Sequence, residues 1–94
     1  MTHPPEEKLQ IDVDAVVWRE VGDEVVVLEL STSTYLTLNG TAKQIWDSLA
    51  GGATLDALVD SLVDRYGITP EQARADAESF VSTLADRGLL VHDG

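Results

Sequence analysis

The 94-residue sequence predicts an α+β fold in which a three-stranded antiparallel sheet is followed by three helices. Three observations carry that expectation. Valine-rich segments flank Gly22-Asp23, a dipeptide suited to the positive backbone angles of a tight hairpin. The alternation of Tyr35, Leu36, Thr37 and Leu38 gives way across Asn39-Gly40 to Ala42, Ile45, Trp46 and Leu49 at helical spacing, so a strand ends there and a helix begins. Thr69-Pro70-Glu71-Gln72 combines a capping threonine, a proline in the first helical position and a glutamine three residues after the cap, which is a strong helix start.

Taken in order, residues 1–10 are expected to be a disordered start, because Pro4-Pro5 and three consecutive charges offer nothing to bury. A single domain is expected over residues 11–92. Val13 to Glu20 and Glu24 to Leu30 form the first two strands, and Val25 to Leu28 is apolar on both faces, which implies cover on one side and partial cover on the other. Ser31 to Ser33 turns the chain into a third strand, Thr34 to Leu38. The first helix starts at Asn39 or Thr41, where Thr41 and Gln44 are placed for a capping box, and stops at Gly51-Gly52. Thr54 caps the second helix, whose Leu55, Leu58, Val59, Leu62, Val63 and Tyr66 form one apolar stripe with Asp56, Asp60 and Asp64 on the water side. Gly67 ends it. Ala73, Ala77, Phe80, Val81 and Leu84 supply the buried face of the third helix, and Leu89 to Val91 returns to the core as a tail or short strand. The short links between the helices make the arrangement winged helix-turn-helix-like.

Composition narrows the function. Six Lys and Arg stand against seventeen Asp and Glu, a formal charge of -11, and the cations are spread along the chain rather than clustered. That disfavours a nucleic-acid-binding face, which needs grouped cations to displace phosphate counterions, and it disfavours anionic membrane surfaces. A neutral or basic partner is favoured by the acidic field. The absence of cysteine removes disulfides, thiolate metal sites and a cysteine nucleophile. The N-terminus lacks a secretory signal pattern and no apolar run spans a bilayer, so a cytoplasmic protein is expected.

Nothing in the sequence points to catalysis. His3 and His92 lie in the terminal segments, away from the packing that a catalytic side chain needs. Asp56, Asp60 and Asp64 share one helix face without the loop geometry that calcium requires. Asp-Ser-Leu occurs at Asp47-Ser48-Leu49 and Asp60-Ser61-Leu62, as in carrier proteins that attach a pantetheinyl group, but both serines fall inside predicted helices after three strands.

The remaining surface is the predicted third strand, at the edge of a meander. Thr34-Tyr35-Leu36-Thr37-Leu38 contains no lysine, proline or other residue that usually guards a sheet edge, so it can accept a guest strand. The run Leu38-Asn39-x-Thr41-Ala42-x-x-Ile45-Trp46, with Asp76-x-x-x-Phe80-Val81-x-x-Leu84-x-x-x-Gly88-Leu89-Leu90, resembles the PqqD-like proteins, the recognition elements of ribosomally made and modified peptides. Over about residues 11–91 the chain is most similar to the free-standing leader-binding subunit of lasso-peptide biosynthesis. The resemblance implies a non-catalytic protein without a cofactor. It would bind the leader segment of a precursor peptide by strand addition and present it to a leader peptidase and a cyclase. A relative serving a radical enzyme of quinone-cofactor synthesis is the neighbouring possibility, and a winged-helix DNA binder the rival class.

Carried onto this chain, the resemblance makes Thr34, Tyr35, Leu36 and Thr37 the pairing strand. It places Ala73, Asp76, Ala77, Phe80 and Thr83 on the facing helix and Val26, Leu28 and Leu30 at the groove floor. The residue types are compatible: alanines allow close backbone approach, Phe80 receives an apolar anchor, and Asp76 either pairs with a cationic side chain or caps a backbone amide.

Overall fold

Leu9 and Ile11, both buried, open a chain whose order is β1 (Lys8–Ile11), β2 (Val16–Val21), β3 (Glu24–Glu29), β4 (Thr34–Leu38), α1 (Gly40–Ala50), β5 (Ala53–Thr54), α2 (Leu55–Tyr66), α3 (Pro70–Asp86) and β6 (Leu90–Asp93). The computed structural model describes residues 7–93, with the backbone alone for 92 and 93. The fold is α+β, and its strands form two antiparallel sheets, ordered β2-β3-β4 and β5-β1-β6.

The first sheet is the expected meander. Gly22, at φ +61, supplies the positive backbone angle of the β2–β3 hairpin, and Val16↔Glu29 to Val21↔Glu24 sets the register. β4 pairs with β3 from Val25↔Leu38 to Glu29↔Thr34. Residues opposite one another share a face, so Val16, Trp18, Val25, Val27, Glu29, Leu36 and Leu38 point to the core side. Val17, Val26, Leu28, Tyr35 and Thr37 point to the other. The first strand starts later than expected: Val13 lies in a turn, where the Asp14 N–H donates to Asp12 Oδ1 at 3.0 Å and the Ala15 N–H donates to the Asp12 carbonyl at 3.0 Å. Leu30 falls outside β3 and is 48% exposed.

The second sheet corrects the expectation of a disordered start through residue 10. Lys8 to Ile11 pairs with Leu90 to Asp93 on one side and with Ala53 and Thr54 on the other. The reason is burial: Leu9 is 0% and Ile11 1% exposed, inserted between the sheets and helices. Residues 1–6 lie outside the described ones.

The helices follow their caps. Thr54 accepts from the Ala57 N–H and Thr69 from the Gln72 N–H, each at 3.1 Å, satisfying donors that a helix start leaves unpaired. The expected capping box at Thr41 and Gln44 is absent. Helix α1 begins at Gly40, capped by Asn39 without a side-chain bond, and Gln44 Nε2 instead donates to Ser61 Oγ at 2.7 Å, joining α1 to α2. Ser48 and Ser61 thus sit within helices, and neither opens one. Trp46 and Leu49 of α1, Leu58 and Leu62 of α2, and Ala73, Ala77, Val81 and Leu84 of α3 complete a core shared with Leu9, Val25 and Val27.

Candidate peptide-binding site

Strand β4 has β3 on one side and, among the described residues, no strand on the other. Its free backbone groups are those of alternate residues along Thr34-Tyr35-Leu36-Thr37-Leu38 that do not pair with β3, an edge without a charged or proline guard. Side chains alternate along it. Leu36 is half-buried against the core, while Tyr35 is 69% exposed on the opposite face.

Helix α3 is tied to the elements around this strand at two points. Near one end, Arg87, which caps α3, donates through Nη1 to Glu29 Oε2 at 2.5 Å, and Glu29 stands opposite Thr34, the first residue of β4. Near the other end, Asp76, Ser79, Phe80 and Thr83 of α3 face Thr41, Ala42 and Ile45 of α1 across a depression of about 270 Å³. Helix α1 follows β4 directly, so the depression opens just past the end of the strand. The depression is lined by apolar Ile45, Ala42 and Phe80, by the hydroxyl-bearing Thr41, Ser79 and Thr83, and by one carboxylate.

Asp76 is the single charged residue lining that depression. Gln72 Nε2 donates to its Oδ1 at 2.8 Å, and no cation pairs with it among the described residues. The nearby cations are engaged elsewhere: Arg74 with Asp56 at 2.9 Å, Arg87 with Glu29, and Lys43 with Asp47 and Glu20 at 2.7 and 3.2 Å. Hydrogen bonds to Asp47 first and Glu20 second hold the Lys43 ammonium above its ordinary pKa.

The expected site residues divide into three groups. Thr34 to Thr37 form the open edge, and Asp76, Phe80 and Thr83 line the depression. Ala73 and Ala77 are fully buried between the helices, so they set the packing of α3 and offer no surface to a guest. Val26 and Leu28 lie away from the α1–α3 depression: with Tyr35 and Val17 they line the outer face of the β2-β3-β4 sheet, and Leu30 lies beyond β3. Thr41, Ala42, Ile45 and Ser79 were not among the expected lining residues. The spacing 76, 79, 80, 83 on one helix contains Ser79, and the helical period that begins at Ala42 contains the α1 contributors.

Neither histidine can be placed at this site: His3 lies outside the described residues, and only the backbone of His92 is described. Among the described residues, no three His, Asp or Glu side chains gather as a metal site, and Asp56, Asp60 and Asp64 are exposed along α2. No helix of the described residues is long and apolar enough to cross a membrane.

An unguarded strand edge beside a helix-walled depression is the arrangement of a module that takes up an extended segment by adding it to its sheet. The chain belongs to the PqqD family: the family described as Coenzyme PQQ synthesis protein D (PqqD) matches residues 24–90. It is similar to the solved structure of TbiB1 in complex with the TbiA(beta) leader peptide, with 34% identity and a TM-score of 0.79 over 86% of this chain and 93% of that one. It shares its fold with a lasso peptide synthetase B1 complexed with the leader peptide, at 20% identity and a TM-score of 0.76, covering 88% and 96% of the two chains. No curated protein matches the chain.

Proposed function

We propose that this protein binds the leader segment of a ribosomally made precursor peptide as an added strand on β4, beside α3, and presents it to the enzymes that modify it. The observation that carries this is the free edge of β4, followed directly by α1, which meets the Asp76-to-Thr83 face of α3 across a depression. The 34% identical TbiB1, in complex with a leader peptide, supports it. About four or five main-chain hydrogen bonds at roughly 0.5–1.5 kcal/mol each, together with apolar contact at Phe80 and Ile45, supply the affinity. The role is non-catalytic and cytoplasmic: the site holds a backbone and side-chain anchors, with no nucleophile oriented by a base.

The outer face of the β2-β3-β4 sheet serves the second half of the role. Val17 is 57% and Tyr35 69% exposed there, beside Val26 and Leu28, an apolar face of the kind that marks a protein interface. It is larger than the α1–α3 depression, yet it presents side chains and no free backbone, so it suits a folded partner better than an extended peptide. A guest strand on β4 would widen this face, and a leader peptidase seated on it would meet the guest directly. DNA binding is disfavoured, because Lys43, Arg74 and Arg87 each pair with a carboxylate and the chain carries a charge of -11.

Titration of a fluorescein-labelled leader segment of its cognate precursor peptide tests the reading by anisotropy. Saturable binding with a Kd in the micromolar range or below is expected. No saturation up to about 100 µM would refute it.

A further inference from the structure

Resting on that reading, we infer that the depression between α1 and α3 takes a lysine or arginine side chain of the guest segment, its cationic head at Asp76 and its aliphatic stem over Phe80 and Ile45. The lining is that of an amphipathic slot. Apolar Ile45, Ala42 and Phe80 line it together with the hydroxyls of Thr41 and Ser79 and a single carboxylate. A wholly apolar guest side chain would leave that carboxylate facing it without compensation, and an acidic one would be repelled. A long stem with a terminal cation satisfies both surfaces, in the way such side chains bury their methylenes and keep the charge at a polar rim.

Four further observations agree. Asp76 is half-buried, and its Oδ1 already accepts from Gln72 Nε2 at 2.8 Å, so the carboxylate is oriented before a guest arrives. No cation of the chain competes for it among the described residues, since Arg74, Lys43 and Arg87 are held by other carboxylates. The Phe80 ring borders the same space, and an aromatic face attracts a cation at close range. The charge of -11 also steers a cationic segment toward the protein before contact.

The test is a double-mutant cycle on the labelled leader. Each Lys or Arg of the leader is replaced in turn by norleucine or citrulline and titrated against the wild type and Asp76→Asn, whose thermal melts establish that the variant is folded. One cation is expected to show coupling: its replacement and Asp76→Asn each weaken binding roughly five- to thirty-fold, and the two together weaken it no further than one alone. The leader's affinity for the wild type is expected to fall with added salt more steeply than its affinity for Asp76→Asn. A leader that binds the wild type but has no cation in its pairing segment overturns the inference. Unchanged affinity for Asp76→Asn overturns it equally, and both results leave strand addition standing. A leader that does not bind the wild type at all overturns both readings.

Discussion

Trp46→Ala is expected to cost about 3–5 kcal/mol of stability and to leave most of the protein without a usable margin. Trp46 is 0% exposed on α1 and meets Trp18 of β2 edge-to-face, with ring centroids 5.6 Å apart at 80°. It is the largest fully buried side chain, and it ties the helical layer to the β2-β3-β4 sheet. Removing it deletes apolar burial, leaves a cavity that rigid neighbours close only in part, and forfeits the aromatic pair. A domain of this size has roughly 5–14 kcal/mol in total, so the loss is a large share. Trp46→Phe is expected to cost about half as much, because an aromatic ring stays and the indole N–H, which has no hydrogen-bond partner among the described residues, is removed. Urea unfolding at constant m-value measures both.

Arg87→Ala carries the second large effect, about 2–3 kcal/mol, below the usual cost of breaking a buried pair because the Arg87 side chain is 42% exposed. What remains is the Glu29 carboxylate, 2% exposed on the core side of β3 beside Val27, with its cation gone. Glu29→Gln should be milder, near 1 kcal/mol, since the arginine left behind reaches water. The pair also clamps the end of α3 to the sheet, opposite the start of β4. Arg87→Ala should therefore lower leader affinity at temperatures where the variant is fully folded, with Arg87→Lys restoring part of it. Melting curves and titration of the same samples separate the two effects. A fall in stability with no change in affinity would confine the pair to a structural role.

The same ion pair explains where the sequence was hard to read. In Glu24 to Leu30 both faces are largely apolar, and only the set Val25, Val27, Glu29 ends in a charge. The buried set is nonetheless the one with Glu29, since Arg87, 58 residues away, neutralises it. Val26 and Leu28, which the resemblance implies as groove floor, therefore lie on the outer face. Local chemistry was legible wherever it was sufficient: the caps at Thr54 and Thr69, the hairpin at Gly22 and the strand-to-helix change at Asn39-Gly40 are settled by residues within one turn of one another. The β5-β1-β6 sheet was not, because its strands have two to four residues and pair segments far apart in the chain. Short apolar alternation such as Leu9 and Ile11 has no periodic signal long enough to be read. On α3, the stripe Ala73, Ala77, Val81, Leu84 was legible as buried. Assigning Ala73 and Ala77 also to the guest surface conflicted with that burial, whereas Asp76 and Phe80, a short step around the helix, remain accessible.

Amide hydrogen exchange with and without saturating leader peptide tests strand addition at β4 most directly. The open edge requires slowed exchange in Thr34–Leu38 on binding, together with protection across Asp76–Thr83 of α3, because free backbone N–H groups of an edge strand gain partners only when another strand pairs with them. Binding that leaves β4 exchange unchanged, and instead protects β2 or the β5-β1-β6 sheet, would contradict it.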